Sequence, residues 1–319
     1  MKSASLWALT SYFNPFRGLR RRRNYGIFHA HLDVPLLTVE WSRDGEFELG
    51  PGDADILVQV AGGDLLWQKE RLLNIGLTHL PQDCTHVATL DCDVLFDQPG
   101  WAEEAIRVLQ TSCAAQLFDT VNYLPPAPDT CTDLSTLRQL PPETRTWPLA
   151  AALARGEGLY CKGEGGPVFG APAGALRVNG NPGLGHAFHA DMIRELQFYD
   201  ANVVGGADLL MLTALSGHLE EHLNRRCSPA HTAHARAWAR KAGAPGRHRV
   251  GVVPATLYHL WHGTFADRRY SQRYEILSGL DYDPAHHLAP HGGGAWSWSE
   301  AAGELPARVR EYLQSRNDA

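Results

Sequence analysis

The chain of 319 residues has no run approaching the roughly 18 consecutive apolar residues of a membrane span, which excludes a transmembrane-helix reading. It has no CxxC pair. Its six cysteines (Cys84, Cys92, Cys113, Cys131, Cys161 and Cys227) are scattered and offer no zinc spacing. They read as free thiols of a reducing compartment, and a cytoplasmic enzyme is the expectation. Positive charge is not in excess. Lys and Arg number 29 against 35 Asp and Glu, a net charge of -6, so a strongly basic nucleic-acid binder does not describe the whole chain. No Gly-Lys-Ser/Thr follows Gly163–Gly166, so that stretch is not a P-loop. No GxGxxG follows the first apolar run, which weighs against a dinucleotide oxidoreductase. Residues 1–15 are broken by Thr10, Ser11 and Asn14 and lack the apolar stretch of a signal peptide. What remains is an ordinary globular composition, 44% hydrophobic and 20% charged, long enough to build a core without staples.

Apolar runs alternate with helical periodicity. Strands are expected at Leu6–Thr10, Pro35–Glu40, Asp55–Val60, His86–Leu90 and Cys113–Phe118. Helices are expected at Asn24–Leu32, Leu65–Leu80 and Trp101–Gln110. This alternation predicts an α/β fold with a mostly parallel sheet flanked by helices, binding its ligand beyond the carboxyl ends of the strands. Asp91-Cys92-Asp93 falls at such an end. Residues 120–174 are rich in proline and then glycine, and predict an irregular insertion beside the site, with one helix around Trp147–Arg155. Gly183 onward reads as a glycine-rich turn, followed by helices at His189–Gln197, from about Ala207, and within Pro229–Gly246. Arg249–His259 is a late strand, and Trp298–Ala319 a surface helix. Residues 1–285 are expected to form one domain and 286–319 a C-terminal helical appendage.

Two carboxylates one residue apart, Asp91 and Asp93, can converge on a hard divalent cation whose shell a substrate phosphate completes. By itself that pattern is also an ordinary solvated turn. Its surroundings sharpen it. The run LWQKERLLNIGLTHLPQDCTHVATLDCDVLFDQPGWAEE, residues 66–104, resembles the donor-binding core of GT-A fold nucleotide-sugar glycosyltransferases. The likeness extends over roughly Leu6–Leu277, with the proline-rich insertion unmatched. It implies a GT-A type, Rossmann-like fold and transfer of a sugar from a nucleotide-diphosphate donor, by family habit a UDP-sugar, to an acceptor hydroxyl, with Mn²⁺ or Mg²⁺ as cofactor.

The same resemblance implies roles for particular residues. Asp91 and Asp93 would hold the metal together with a late histidine, His259 or His262, of which His259 is favoured because it ends the strand. His262 would then face the diphosphate. Lys69, Arg71 and Asn74 would orient the donor. Thr10 and Tyr12, at the exit of the first strand, and Glu40, at the end of the second, would face the nucleotide. Arg269, in the basic stretch Arg268–Arg273, would close on the pyrophosphate. Asp208, after Gly205-Gly206, would act as general base, a place where Asp also caps a helix. Ala207 departs from the family, which often has an acid there. The acceptor is expected to be a glycan, an envelope precursor or another small molecule. A nucleic-acid base is the sharper alternative, supported by Arg20–Arg23 and the Arg/His-rich residues 225–249. Two rivals stand beside this reading: a non-catalytic nucleotide- or carbohydrate-binding protein on the same fold, and a nucleotidyltransferase. The latter lacks its expected glycine-rich, lysine-bearing loop at Asn14–Gly18.

Overall fold

In the computed structural model β1 (Leu6–Phe13) runs past the expected stop at Thr10, because Ser11, Tyr12 and Phe13 keep pairing with Val39, Glu40 and Trp41 on the next strand. The description covers residues 5–162, 177–242, 249–264, 266–268 and 272–316. The turn comes at Asn14, whose side chain accepts from Gly18 N at 2.9 Å. Helix α1 (Leu19–His31) therefore begins ahead of the basic run Arg20–Arg23 rather than after it. Arg22 pairs with Asp53 at 3.0 Å, and Arg23 donates to the carbonyls of Pro128 and Cys131.

Strands β2 (Leu36–Ser42) and β3 (Ile56–Ala61) extend the sheet in parallel. Helix α2 (Lys69–Leu77) packs back on β1. Gly76 allows the close approach, since a Cβ there would lie 2.5 Å from Leu9 Cδ1. Strand β4 (His86–Leu90) pairs in parallel with β1. After it come β5 (Val94–Phe96), α3 (Trp101–Leu109), β6 (Ala114–Gln116) and β7 (Thr120–Tyr123). Within the proline-rich segment lie α4 (Leu134–Leu137), β8 (Thr144–Thr146), α5 (Leu149–Ala154) and β9 (Tyr160–Cys161), which pairs with β10 (Arg177–Val178). Residues 163–174 of the expected insertion lie outside the described residues.

The next strand is a correction to the sequence reading. Gly185–His189, expected as a glycine-rich turn, is β11, an antiparallel strand wedged between β4 and β6. Glycine suits that place: a Cβ at Gly185 would sit 3.1 Å from Leu90 and 3.4 Å from Leu117. Helices α6 (Ala190–Leu196), α7 (Ala207–Ser216), α8 (Leu219–Arg226) and α9 (Pro229–Ala239) follow. The expected single strand Arg249–His259 is two, β12 (Val250–Val252) and β13 (Thr256–His259), broken around Pro254, which has no N–H for a ladder. The chain continues through α10 (Arg273–Ser278), α11 (Pro284–His287), a hairpin of β14 (Leu288–Pro290) with β15 (Trp296–Trp298), and α12 (Leu305–Ser315). Leu305, Val309, Tyr312 and Leu313 of α12 are buried in the same cluster as Leu9, Leu37 and Leu72.

The main sheet has seven strands in the order β12-β6-β11-β4-β1-β2-β3, mostly parallel, with helices on its faces. A second sheet of four strands, β5-β13-β7-β8, stands beyond its carboxyl edge. Three main-sheet strands, β4, β6 and β12, feed it through three-residue connections: 91–93, 117–119 and 253–255. The first of these is Asp91-Cys92-Asp93.

Candidate functional site

The connection 91–93 leaves β4 as a turn, and β5 then pairs antiparallel with β13, setting His259 opposite Val94. Leu260 N donates to Asp93 O at 2.8 Å. This register places Asp93 against two imidazoles. Asp93 Oδ1 is 3.6 Å from His259 Nε2, and Oδ2 is 3.4 Å from His262 Nε2. The two ring nitrogens are 3.1 Å apart. One ligand atom from each of the three residues lies within 4.8 Å of the others. Asp93 Oδ1 is buried without a hydrogen-bond partner. Burial holds the His259 imidazole below its ordinary range, with Asp93 opposing, so it is neutral and ready to ligate. A carboxylate with two imidazoles fits a borderline divalent ion such as Mn²⁺ better than Mg²⁺, which prefers oxygen and water.

Asp91 does not join this group. The 91–93 turn is not extended, so the two carboxylates diverge, and Asp91 Oδ1 meets Lys69 Nζ at 2.6 Å. Lys69, the first residue of α2, also reaches Asp208, 3.3 Å from each carboxylate oxygen. The third member of the cluster is His262, so both late histidines face Asp93. Burial works against the Lys69 charge, but Asp208, Asp91 and Glu70 outweigh it and hold the ammonium well above its usual range. Burial lifts the Asp91 carboxyl to about 6, against the pull of Lys69. Burial raises Glu70 further, to about 8, with Asp208 adding to it.

These residues border one cavity of about 230 Å³, lined also by Ser11, Phe13 and Trp67. Lys69, Asp91, Asp93, Asp208, His259 and His262 all reach it. Five other expected donor residues do not. Thr10 is fully buried and donates to Leu90 O at 2.7 Å, and Tyr12 is tied to Glu48 at 3.1 Å. Side chains alternate along a strand, so Ser11 and Phe13 face the cavity where Thr10 and Tyr12 were expected to. Glu40 accepts from Glu48 N and Leu49 N and from the Gln59 amide, fixing the loop after β2. Arg71 binds Gly294 O and, at 3.2 Å, Asp200. Asn74 exchanges hydrogen bonds with the backbone of Phe198. Both brace α2 against later segments, because residues 71 and 74 lie on a different side of the helix from Lys69. Arg269 lies outside the described residues.

The cavity also holds Arg21, Arg268 and Arg273 of the two basic runs, and residues to which the sequence reading assigned no role: Arg177, Asn181, Trp261, Tyr274 and Arg316. They come from segments distant in sequence. The basic runs Arg20–Arg23 and Arg268–Arg273 signalled Arg21, Arg268 and Arg273, and nothing in the sequence singled out the others. Arg268 donates to His262 O at 3.0 Å, and Tyr312 of α12 holds the Arg268 carbonyl at 3.2 Å.

No protein-family model matches the chain, and no curated protein sequence matches it. Among solved structures it is similar to a protein of Desulfovibrio desulfuricans G20 described as a nucleotide-diphospho-sugar transferase. The identity is 13%, 81% of this chain and 82% of the other are covered, and the TM-score is 0.35. It is similar too to residues 1–349 of TarS from S. aureus, solved in complex with UDP-GlcNAc, at 8% identity, with 82% and 59% covered and a TM-score of 0.35. A third likeness is to 4-diphosphocytidyl-2C-methyl-D-erythritol synthase from Anaerococcus prevotii, at 12% identity, with 79% and 87% covered and a TM-score of 0.29. Among the described residues no helix is long and apolar enough to cross a membrane.

Proposed function

We propose that the protein is a metal-dependent glycosyltransferase that moves a sugar from a nucleotide-diphosphate donor, a UDP-sugar in the first instance, to an acceptor hydroxyl. One observation carries the reading: Asp93, His259 and His262 converge at one edge of the cavity whose floor is the Lys69 bridge between Asp91 and Asp208. Asp93, His259 and His262 would hold a cation, which would supply electrostatic stabilisation of the departing diphosphate. Lys69 fixes both oxygens of Asp208 at 3.3 Å, so the carboxylate is oriented before an acceptor arrives. Asp208 Oδ takes the acceptor's hydroxyl proton as that oxygen attacks the anomeric carbon. Arg268, anchored to the His262 carbonyl, lies where it can pair with phosphate oxygens. Asp91 keeps Lys69 in place and does not ligate.

The test separates turnover from binding. Asp208→Asn should bind UDP with Mn²⁺ within about twofold of wild type and lose transfer by at least about a hundredfold, the usual weight of a general base. Retained turnover in that variant would remove Asp208 as the base. Binding without turnover in the wild type, across a panel of acceptors, would instead favour the non-catalytic rival.

A further inference from the structure

Asp208 borders two cavities. One is the large cavity described above. The other is about 10 Å³, room for about one water molecule. Among the described residues, Asp208 alone lines both. Three elements meet at the small cavity: α2 brings Glu70, β11 brings His186 and α7 brings Asp208. Thr89 of β4 reaches it too, but its hydroxyl proton goes to His186 O at 3.3 Å. The rest of the lining is apolar, with Phe188, Phe198 and Met211 among it.

Two polar atoms of this cavity are buried without a hydrogen-bond partner among the described residues, Glu70 Oε1 and His186 Nε2. Glu70 is 3% exposed and His186 8%. A polar atom left unmet at that depth is costly, so each needs a partner in the cavity. Their roles are fixed by their other contacts. His186 is hydrogen-bonded to the backbone of Pro182, which has no N–H, so the ring donates to that carbonyl through Nδ1. Nε2 therefore carries the lone pair and accepts. Burial pushes the imidazole down to about 4, which keeps it neutral. Asp208, in its ion pair with Lys69, accepts as well.

One water among these groups has two hydrogens to give. Were Glu70 ionised, that water would face three acceptors. With Glu70 protonated every group is met: Glu70 donates to the water, and the water donates to His186 Nε2 and to Asp208. The surroundings agree. Burial holds the proton on Glu70, Asp208 and Asp91 add to it, and only Lys69 opposes.

We propose that Glu70 and His186 are positioning residues for Asp208, joined to it through one buried water that Glu70 donates to. The effect on rate rests on the reading of Asp208 as base given above; the hydrogen-bond circuit does not. Lys69 and Glu70, neighbours at the start of α2, then act on Asp208 from its two cavities. The carboxylate is held from both before an acceptor arrives.

The first test is infrared spectroscopy of the full chain and needs no substrate. At pH 7 the wild type should show the carbonyl stretch of a neutral carboxyl that is missing in Glu70→Gln. The band should shift in His186→Leu and in Asp208→Asn, because one water links all three groups. The second test is UDP release from UDP-glucose and UDP-GlcNAc, with simple glycosides as acceptors. Here kcat should be at least about tenfold lower in Glu70→Leu than in Glu70→Gln, whose amide can donate to the same water, with the donor KM alike in both. A wild-type spectrum without the band at pH 7, or a band that stays put in either partner variant, would overturn the circuit. Equal kcat in the two Glu70 variants would overturn the positioning role. If Glu70→Leu does not fold, the near-isosteric Glu70→Gln and Asp208→Asn still decide the circuit by infrared. If the wild type releases no UDP, the glycosyltransferase reading fails while the infrared result still stands.

Discussion

Lys69 is the side chain on which the centre of the site depends. It stands between Asp91 and Asp208 and is only 13% exposed. Lys69→Met would leave two carboxylates facing each other with no cation between them. Breaking a buried pair in this way costs about 3 kcal/mol, and the variant should lose that stability in urea titration while also losing transfer. Its neighbour Glu70 gives a pH prediction. Its carboxyl is raised from 4.5 to about 8 by burial, so between those values the folded chain holds a proton that the unfolded chain has released. Stability contributed by neutral Glu70 is present at low pH and falls as pH rises through that window. Glu70→Gln keeps the shape without the charge. Its melting temperature should exceed wild type near pH 8 and approach it near pH 5. A parallel pair of melting curves against pH would sink the assignment. His231 acts in the opposite sense: buried and lowered to about 3, it costs stability as pH falls below its ordinary 6.5.

The secondary-structure elements decide which residues meet. Helix α12 shows this at the carboxyl end of the described chain. It buries Leu305, Val309, Tyr312 and Leu313, and its Tyr312 hydroxyl holds the loop that carries Arg268. Tyr312→Phe should cost about 1 kcal/mol, the net worth of one hydrogen bond. Ending the chain after Glu304 removes four buried side chains at about 2 kcal/mol each, most of an ordinary domain's stability, so near-ultraviolet dichroism should show lost tertiary structure. Comparing elements with sequence also shows what was legible. His86–Leu90 stands where its β-branched and apolar run predicts, and Trp101–Leu109 nearly so. The acids Asp91 and Asp93 were legible because polar residues just after an apolar strand mark the carboxyl edge of a sheet, whereas Asp208 and the late histidines were reached through the family resemblance. The facing of side chains was not. Thr10 and Tyr12 miss the cavity by one residue of strand alternation, and Arg71 and Asn74 miss it by their side of α2. Strand β11 was hidden because Gly, His and Ala carry little strand propensity, and only its neighbours β4 and β6 make it a strand. Arg177 and Arg316 were hidden because distant segments bring them to one cavity.

At the scale of the whole molecule, two sheets meet along three short connections, and the site lies where they meet. The main sheet brings Asp91 and Asp93, the second sheet brings His259, and α2 and α7 close the floor with Lys69 and Asp208. A metal site assembled from both sheets should couple them, so metal binding should stabilise the entire fold by mass action. Mn²⁺ with UDP should therefore raise one cooperative melting transition rather than create a second. The most direct check of the account is the stoichiometry and affinity of Mn²⁺ by electron paramagnetic resonance titration, with UDP present, in wild type and in Asp93→Asn and His262→Ala. The account predicts one Mn²⁺ per chain in the wild type, tightened by UDP, and at least about tenfold weaker binding in each variant. Equal Mn²⁺ affinity in all three chains would contradict it, and Asp93, His259 and His262 would then be a hydrogen-bonded polar cluster rather than a metal centre.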